Sequence, residues 1–153
     1  MKQKALLILL AIVLFLQLPF FHPEKNYTEE PPNHDIALTY EVPMDVLMIL
    51  YNSCYDCHSN YTEEYPWYYH IQPISWWMKH HIKEGKEAVN FSEFTQLPPE
   101  KAHRKLDKIQ EVMEEQSMPL KSYTIMHKSA QLSESEYQSV IDWAIGLKSE
   151  LKK

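Results

Sequence analysis

The sequence predicts an all-α domain, and three observations lead there. Residues 98–115 place Ala102, Leu106, Ile109 and Met113 at helical spacing with charged residues between them, the pattern of a helix with one buried face. Ser133 and Glu136 form a capping box ahead of a second stripe, Tyr137, Val140, Ile141, Ala144, Leu147 and Leu151,. No convincing strand pattern and no internal repeat is visible,.

The 153 residues suffice for one domain plus an anchor,. The formal charge of −6 disfavours nucleic acid and offers no basic patch for anionic lipid,. It is compatible with a partner protein that carries a basic face.

Along the chain, Lys2 and Lys4 precede a run over 5–16 without a polar residue, and Leu18, Pro19, Phe20 and Phe21 follow Gln17. A positive start with an apolar core predicts export. No small-x-small cleavage site follows, which favours an uncleaved signal anchor over residues 1–21; a cleaved signal peptide is the alternative. The run is short against the roughly 20 residues of a spanning helix. Positive residues at the start put the rest of the chain outside the cytoplasm. Residues 22–42, with Pro23, Pro31 and Pro32 among polar residues, read as a Pro-rich tether,. The domain proper is expected over 43–153.

Within it, 43–52 reads as a helix that is apolar nearly all round, with Pro43 suited to a first helical position,. An aromatic loop follows over 61–69. Residues 73–85 read as a second helix with Gly85 as its C-cap, and 90–94 as a short linker or turn. The 98–115 helix ends near Met118, because Pro119 restricts the residue before it.

Cys54-Tyr55-Asp56-Cys57-His58 holds the only two cysteines of the chain. The C-x-x-C-H spacing suits covalent attachment of one haem c per chain, with Cys54 and Cys57 as thioether donors and His58 as an iron ligand. Three blander readings compete. A disulfide would close a very tight loop and gain little entropy. A thioredoxin-like pair expects a preceding strand and a βαβ pattern. A zinc site needs two further ligands, and no clear H-x-x-x-H supplies them. Attachment of this kind takes place outside the cytoplasm, where the export signal also points.

From residue 43 to 151 the order is helix, C-x-x-C-H, aromatic loop, two helices, Met-Pro and a capped last helix. This order resembles a class I cytochrome c. More narrowly, the chain is similar to the small bacterial haem-binding domain family. The residues that carry this are Cys54-x-x-Cys57-His58-Ser59-Asn60, Tyr65-Pro66-Trp67-Tyr68, Ile74-Ser75-Trp76-Trp77, His80-His81-Ile82-x-Glu84-Gly85, Asn90-Phe91-Ser92 and Met118-Pro119-Leu120. The resemblance implies a class I cytochrome c-like helical domain around one covalently attached haem, with first and last helices crossing and a loop Met as sixth ligand. Members are single-haem and often membrane-anchored, and the resemblance says little about the pathway.

Met118 is accordingly the expected sixth ligand, a soft thioether that stabilises ferrous iron. Packing is the ordinary use of the seven methionines,. His80 and His81 compete, since the segment between Trp67 and Phe94 is richer in aromatics and histidine than a plain electron carrier needs, and His127 competes because it follows the Met-Pro turn. Trp67, Trp76 and Trp77 are expected to wall the haem, with core packing as the plainer alternative. Pro66 or Pro73 is expected to offer the carbonyl that orients His58. The function expected is a membrane-anchored monohaem cytochrome, periplasmic or on the outer face of the inner membrane, that serves a redox partner protein. A haem-based redox or gas sensor, or an interaction module, is the alternative. An enzyme is disfavoured, because dihaem peroxidases carry two such motifs and no acid/base constellation stands out here.

Overall fold

The computed structural model describes residues 2–17, 21–30, 33–63 and 65–151. Leu18, Pro19 and Phe20 of the apolar run, and Pro31 and Pro32 of the tether, lie outside the described residues. The protein is all-α, with no strand among the described residues.

Helix α1, Lys2–Leu16, has no buried residue. No helix among the described residues is long and apolar enough to cross a membrane. The described part of the segment read as a tether lies on the domain. Asn26 Nδ2 donates to the Ser59 carbonyl at 3.0 Å and to Thr62 Oγ1 at 3.1 Å, and the Asn26 carbonyl accepts from Thr62 N–H at 3.0 Å. Asp35 then caps a single turn, α2 (Ile36–Thr39), by accepting from Ala37 N–H at 2.9 Å,. That turn puts Ile36 into the core with no exposure.

Helix α3 (Met44–Ser53) leads through Cys54 into α4 (Tyr55–His58), a single turn that holds the rest of the cysteine motif. Pro43 stands just ahead of α3, at its N-cap. A 3-10 turn over Trp67–His70 precedes α5 (Ile74–Ala88), and a second over Phe91–Gln96 follows it. Helix α6 (Pro99–Glu114), α7 (Lys121–Met126), a 3-10 turn over Lys128–Ala130 and α8 (Glu134–Glu150) complete the chain.

Three of these departures from the sequence expectation matter. Helix α5 runs through Gly85 to Ala88, so Gly85 is not its C-cap. Residues 91–96 are not a linker: Phe91 and Phe94 are buried in the core, at 2% and 0% exposure. Helix α7 lies where no element was expected.

The core joins α3, α6 and α8. Helices α6 and α8 make the most extensive pairing, and α3 packs on α8. Leu106, Val46, Leu50, Val140, Ala144 and Leu147 are all but fully buried there. The expected stripes on α6 and α8 are therefore the buried faces. The capping box is present, with Ser133 N–H donating to Glu136 Oε2 at 2.7 Å and Glu136 N–H to Ser133 Oγ at 3.4 Å.

Leu106→Ala should lower unfolding stability by about 2–5 kcal/mol, the range for a leucine truncated in a filled core. Ile145→Ala, on the open face of α8, should stay within about 0.5 kcal/mol. Denaturant unfolding of both variants checks the pair.

Candidate functional site

The site is built where α5 meets the cysteine turn. A Cβ placed on Gly85 would come 2.7 Å from the Cys57 carbonyl oxygen and 3.3 Å from its carbon. Any larger residue forces the two backbones apart, so only glycine permits this approach. The close packing carries the end of α5 to His58. There the Val89 carbonyl lies 3.0 Å from His58 Nδ1. A carbonyl only accepts, so Nδ1 bears the proton and Nε2 keeps its lone pair. Burial holds His58 below the usual imidazole range, against the pull of the Val89 and Gly85 carbonyls. The ring is therefore neutral at pH 7, the form that binds metal. Neither Pro66 nor Pro73 orients it; their carbonyls accept from Tyr69 N–H and Trp77 N–H.

Cys54 and Cys57 are free thiols. Burial, and then the other sulfur, pushes Cys54 up to about 12, and burial with Asp56 pushes Cys57 up to about 11. Both stay protonated at neutral pH. Cys54 packs against the core, while Cys57 opens on a cavity.

That cavity, of about 270 Å³, is mostly apolar and is lined by Ser53, Cys57, His58, His81, Glu84, Gly85, Ala88, Met118, Pro119, Leu120 and Tyr123. It brings together three of the predicted residues: Cys57, His58 and Met118. Met118 arrives by a specific turn. Gln116 takes the left-handed conformation, φ 51°. Its N–H donates to the Met113 carbonyl at 3.1 Å, and Ser117 N–H donates to the Val112 carbonyl at 3.0 Å. These two bonds are the Schellman pattern, which reverses the chain at the end of α6 and delivers Met118 to the cavity. Tyr123, from α7, donates its hydroxyl to Asp56 Oδ2 at 2.8 Å. Burial, followed by the Asp56 carboxylate, holds that phenol well above its usual range, so it remains a donor.

Of the competing histidines, His81 lines the same cavity, its Nδ1 donating to the Trp77 carbonyl at 2.9 Å. His80 faces Glu84 at 3.2 Å on the exposed surface. His127 packs on Tyr123, ring centroids 4.2 Å apart, and neither it nor His80 lines the cavity. The structure does not bring the tryptophans to this wall. Trp67 is 73% exposed, Trp76 donates Nε1 to the Phe21 carbonyl at 2.7 Å, and Trp77 stands behind His81 at 4.1 Å between ring centroids. Sequence reasoning missed Val89, which acts through its backbone and so leaves no side-chain signal. It also missed Tyr123. The zinc alternative lacks its partners: no group of three or more His, Cys, Asp or Glu residues is placed to hold a metal among the described residues.

These residues fit a haem: an apolar wall, the Cys57 thiol with Cys54 at the attachment spacing on its core side, a neutral imidazole of fixed tautomer and a soft thioether,. A family model described as a haem-binding domain matches residues 13–145. The chain belongs to this family. The match takes in the end of α1 and the 22–42 segment, where Asn26 bonds to Ser59 and Thr62 and Asp35 Oδ1 accepts from the Tyr55 hydroxyl at 2.8 Å. No curated protein and no solved structure matches the chain.

Gly85→Ala should lower stability by about 1–3 kcal/mol, as overpacking does, and reduce the yield of haem-loaded protein. Gly146→Ala is the reference, since a Cβ there meets nothing within 4 Å. It should stabilise α8 by about 0.5–1 kcal/mol. Unfolding midpoints and haem absorbance per chain separate the two.

Proposed function

We propose that this haem-binding protein is a membrane-anchored c-type monohaem cytochrome that passes single electrons outside the cytoplasm. The observation that carries the reading is the cavity shared by Cys57, His58 and Met118. In this reading Cys54 and Cys57 are the residues that would hold the haem covalently, as thioether donors. His58, whose tautomer the Val89 carbonyl fixes, would offer Nε2 to the iron, and Met118 would offer its thioether as a further ligand,. When bound, the haem supplies reversible one-electron exchange at iron. The apolar wall keeps bulk water from that exchange, and Tyr123 holds Asp56 toward α7 rather than leaving its carboxylate free.

The anchor rests on Lys2, Lys4 and the apolar α1, whose side chains are open along its whole length. Positive residues at its start place the domain on the periplasmic side. A redox protein is the expected partner, and the chain is a carrier rather than an enzyme. A sensor with an exchangeable sixth ligand is the second reading. One observation favours it: His81 shares the cavity with Met118.

Acid–acetone extraction should leave the colour with the protein; colour in the organic layer refutes covalent attachment. Met118→Ala should keep the haem, open the sixth position to carbon monoxide and lower the potential, because the thioether that favours ferrous iron is gone. His80→Ala, His81→Ala and His127→Ala should keep the oxidised spectrum. If His81→Ala alters spectrum and potential while Met118→Ala leaves both alone, the iron is held by two histidines and the Met118 assignment fails.

A further inference from the structure

Four large apolar side chains stand open on one edge of the domain. Trp67 is 73% exposed, Trp77 45%, and Trp76 and Ile71 40% each. They belong to the Trp67–His70 turn, the residue after it and the first turn of α5, which pack on one another. Scattered exposed apolar residues need no explanation, but a grouped set marks an interaction surface.

The same edge grips the end of α1. Gln72 N–H donates to Gln17 Oε1 at 3.0 Å, and Gln17 Nε2 donates back to the Gln72 carbonyl at 3.4 Å. Trp76 Nε1 and Gln72 Nε2 both donate to the Phe21 carbonyl, at 2.7 and 3.2 Å. Tyr69 donates its hydroxyl to the Pro23 carbonyl at 2.9 Å. The tryptophan edge is therefore bonded to Gln17, which directly follows α1, and to Phe21.

Helix length adds a second constraint. The 15 residues of α1 rise about 22 Å at 1.5 Å each. The hydrocarbon of a bilayer is about 30 Å thick. An apolar helix that is too short draws its flanks into the interface. The flank here is a set of indoles, and tryptophan settles at headgroup depth with its apolar body down and its N–H among polar groups.

We propose that the domain docks on the lipid surface through Trp67, Ile71, Trp76 and Trp77 while α1 sits in the same bilayer. The inference rests on the anchored reading above. Its occupant is the headgroup–acyl interface, because Gln17 and Phe21, at the foot of the apolar α1, are bonded to Gln72, beside the patch, and Trp76, within it. Trp77 packs on His81, and His81 lines the haem cavity. Docking thus holds the cavity rim at the membrane, where a membrane-embedded redox partner meets it without a swinging tether.

The test is hydroxyl-radical footprinting of the full-length holoprotein in phosphatidylcholine vesicles, read by peptide mass spectrometry. Met44 on α3 is the internal reference, since it is 72% exposed against 73% for Trp67 and both side chains oxidise readily. Trp67, Trp76 and Trp77 should be spared several-fold relative to Met44 at every protein-to-lipid ratio. Trp67→Glu with Trp76→Glu should restore Trp77 oxidation while the protein still pellets with the vesicles. Trp67 oxidised as fully as Met44 in pelleted protein overturns the docking and leaves the anchor standing. Protein that stays in the supernatant overturns both. Protection that fades as the protein is diluted into excess lipid shows a second copy on the patch, and that also overturns the proposal.

Discussion

The backbone contact between Gly85 and Cys57 is the constraint on which the rest of the site depends. A side chain as small as alanine would meet the Cys57 carbonyl at 2.7 Å. With α5 seated this closely on α4, its last turn ends beside His58, and the Val89 carbonyl comes within hydrogen-bond reach. The chain beyond is then delivered to the other side of the motif. Phe91 stacks on Tyr55, with centroids 5.4 Å apart and rings 11° from parallel. Asn60 is bonded from three directions, by Asn90 at 2.8 Å, Glu93 at 2.7 Å and Ser92 at 3.2 Å. Each such bond contributes only about 1 kcal/mol. Together they leave the motif one position relative to α5.

The other wall of the cavity is set independently, by the pairing of α6 with α8. The Schellman turn after α6 aims Met118, and Gln116 in that turn donates Nε2 to both Glu134 oxygens at 3.0 and 2.9 Å. Glu134 opens α8, next to the Ser133 capping box. The turn that carries Met118 is therefore tied to the start of α8 as well as to the end of α6. The cavity is the seam between this unit and the α4–α5 unit. The bond from Tyr123 to Asp56, 2.8 Å, closes the seam on one side.

The two units differ in how far the sequence reveals them. Helices α6 and α8 carry a period of 3.6, and α8 also a local cap, so their buried faces are legible without any partner,. The motif and Met118 are legible for a different reason: their chemistry restricts which residues can serve. Gly85 reads from the sequence as a helix end, and only the position of Cys57 in space shows the close approach that requires it. Phe91 and Phe94 sit in a short polar run with no period, as does Ile36, and their burial comes from neighbours far along the chain. The tryptophans mislead by type. A haem wall and a solvent-facing edge both use aromatic residues, and only the direction of the first turn of α5, toward Phe21, separates them. The orienting group of His58 is a main-chain carbonyl, which any residue at position 89 would supply.

The electrostatics of the seam follow from burial of its groups. Burial leaves Cys54, Cys57 and Tyr123 in their protonated neutral forms and His58 in its unprotonated neutral form,. Glu84, the carboxylate among the lining residues, turns to His80 at the exposed rim. The inner wall therefore offers little charge of its own to offset charge placed against it. On the proposed reading, ferric iron carries one positive charge more than ferrous iron, and a wall of low polarity disfavours that extra charge. The Met118 thioether acts in the same direction, since it too favours the ferrous state. On that reading burial and ligand choice would push the potential upward together, and both follow from the seam that Gly85 and the Gln116 turn position.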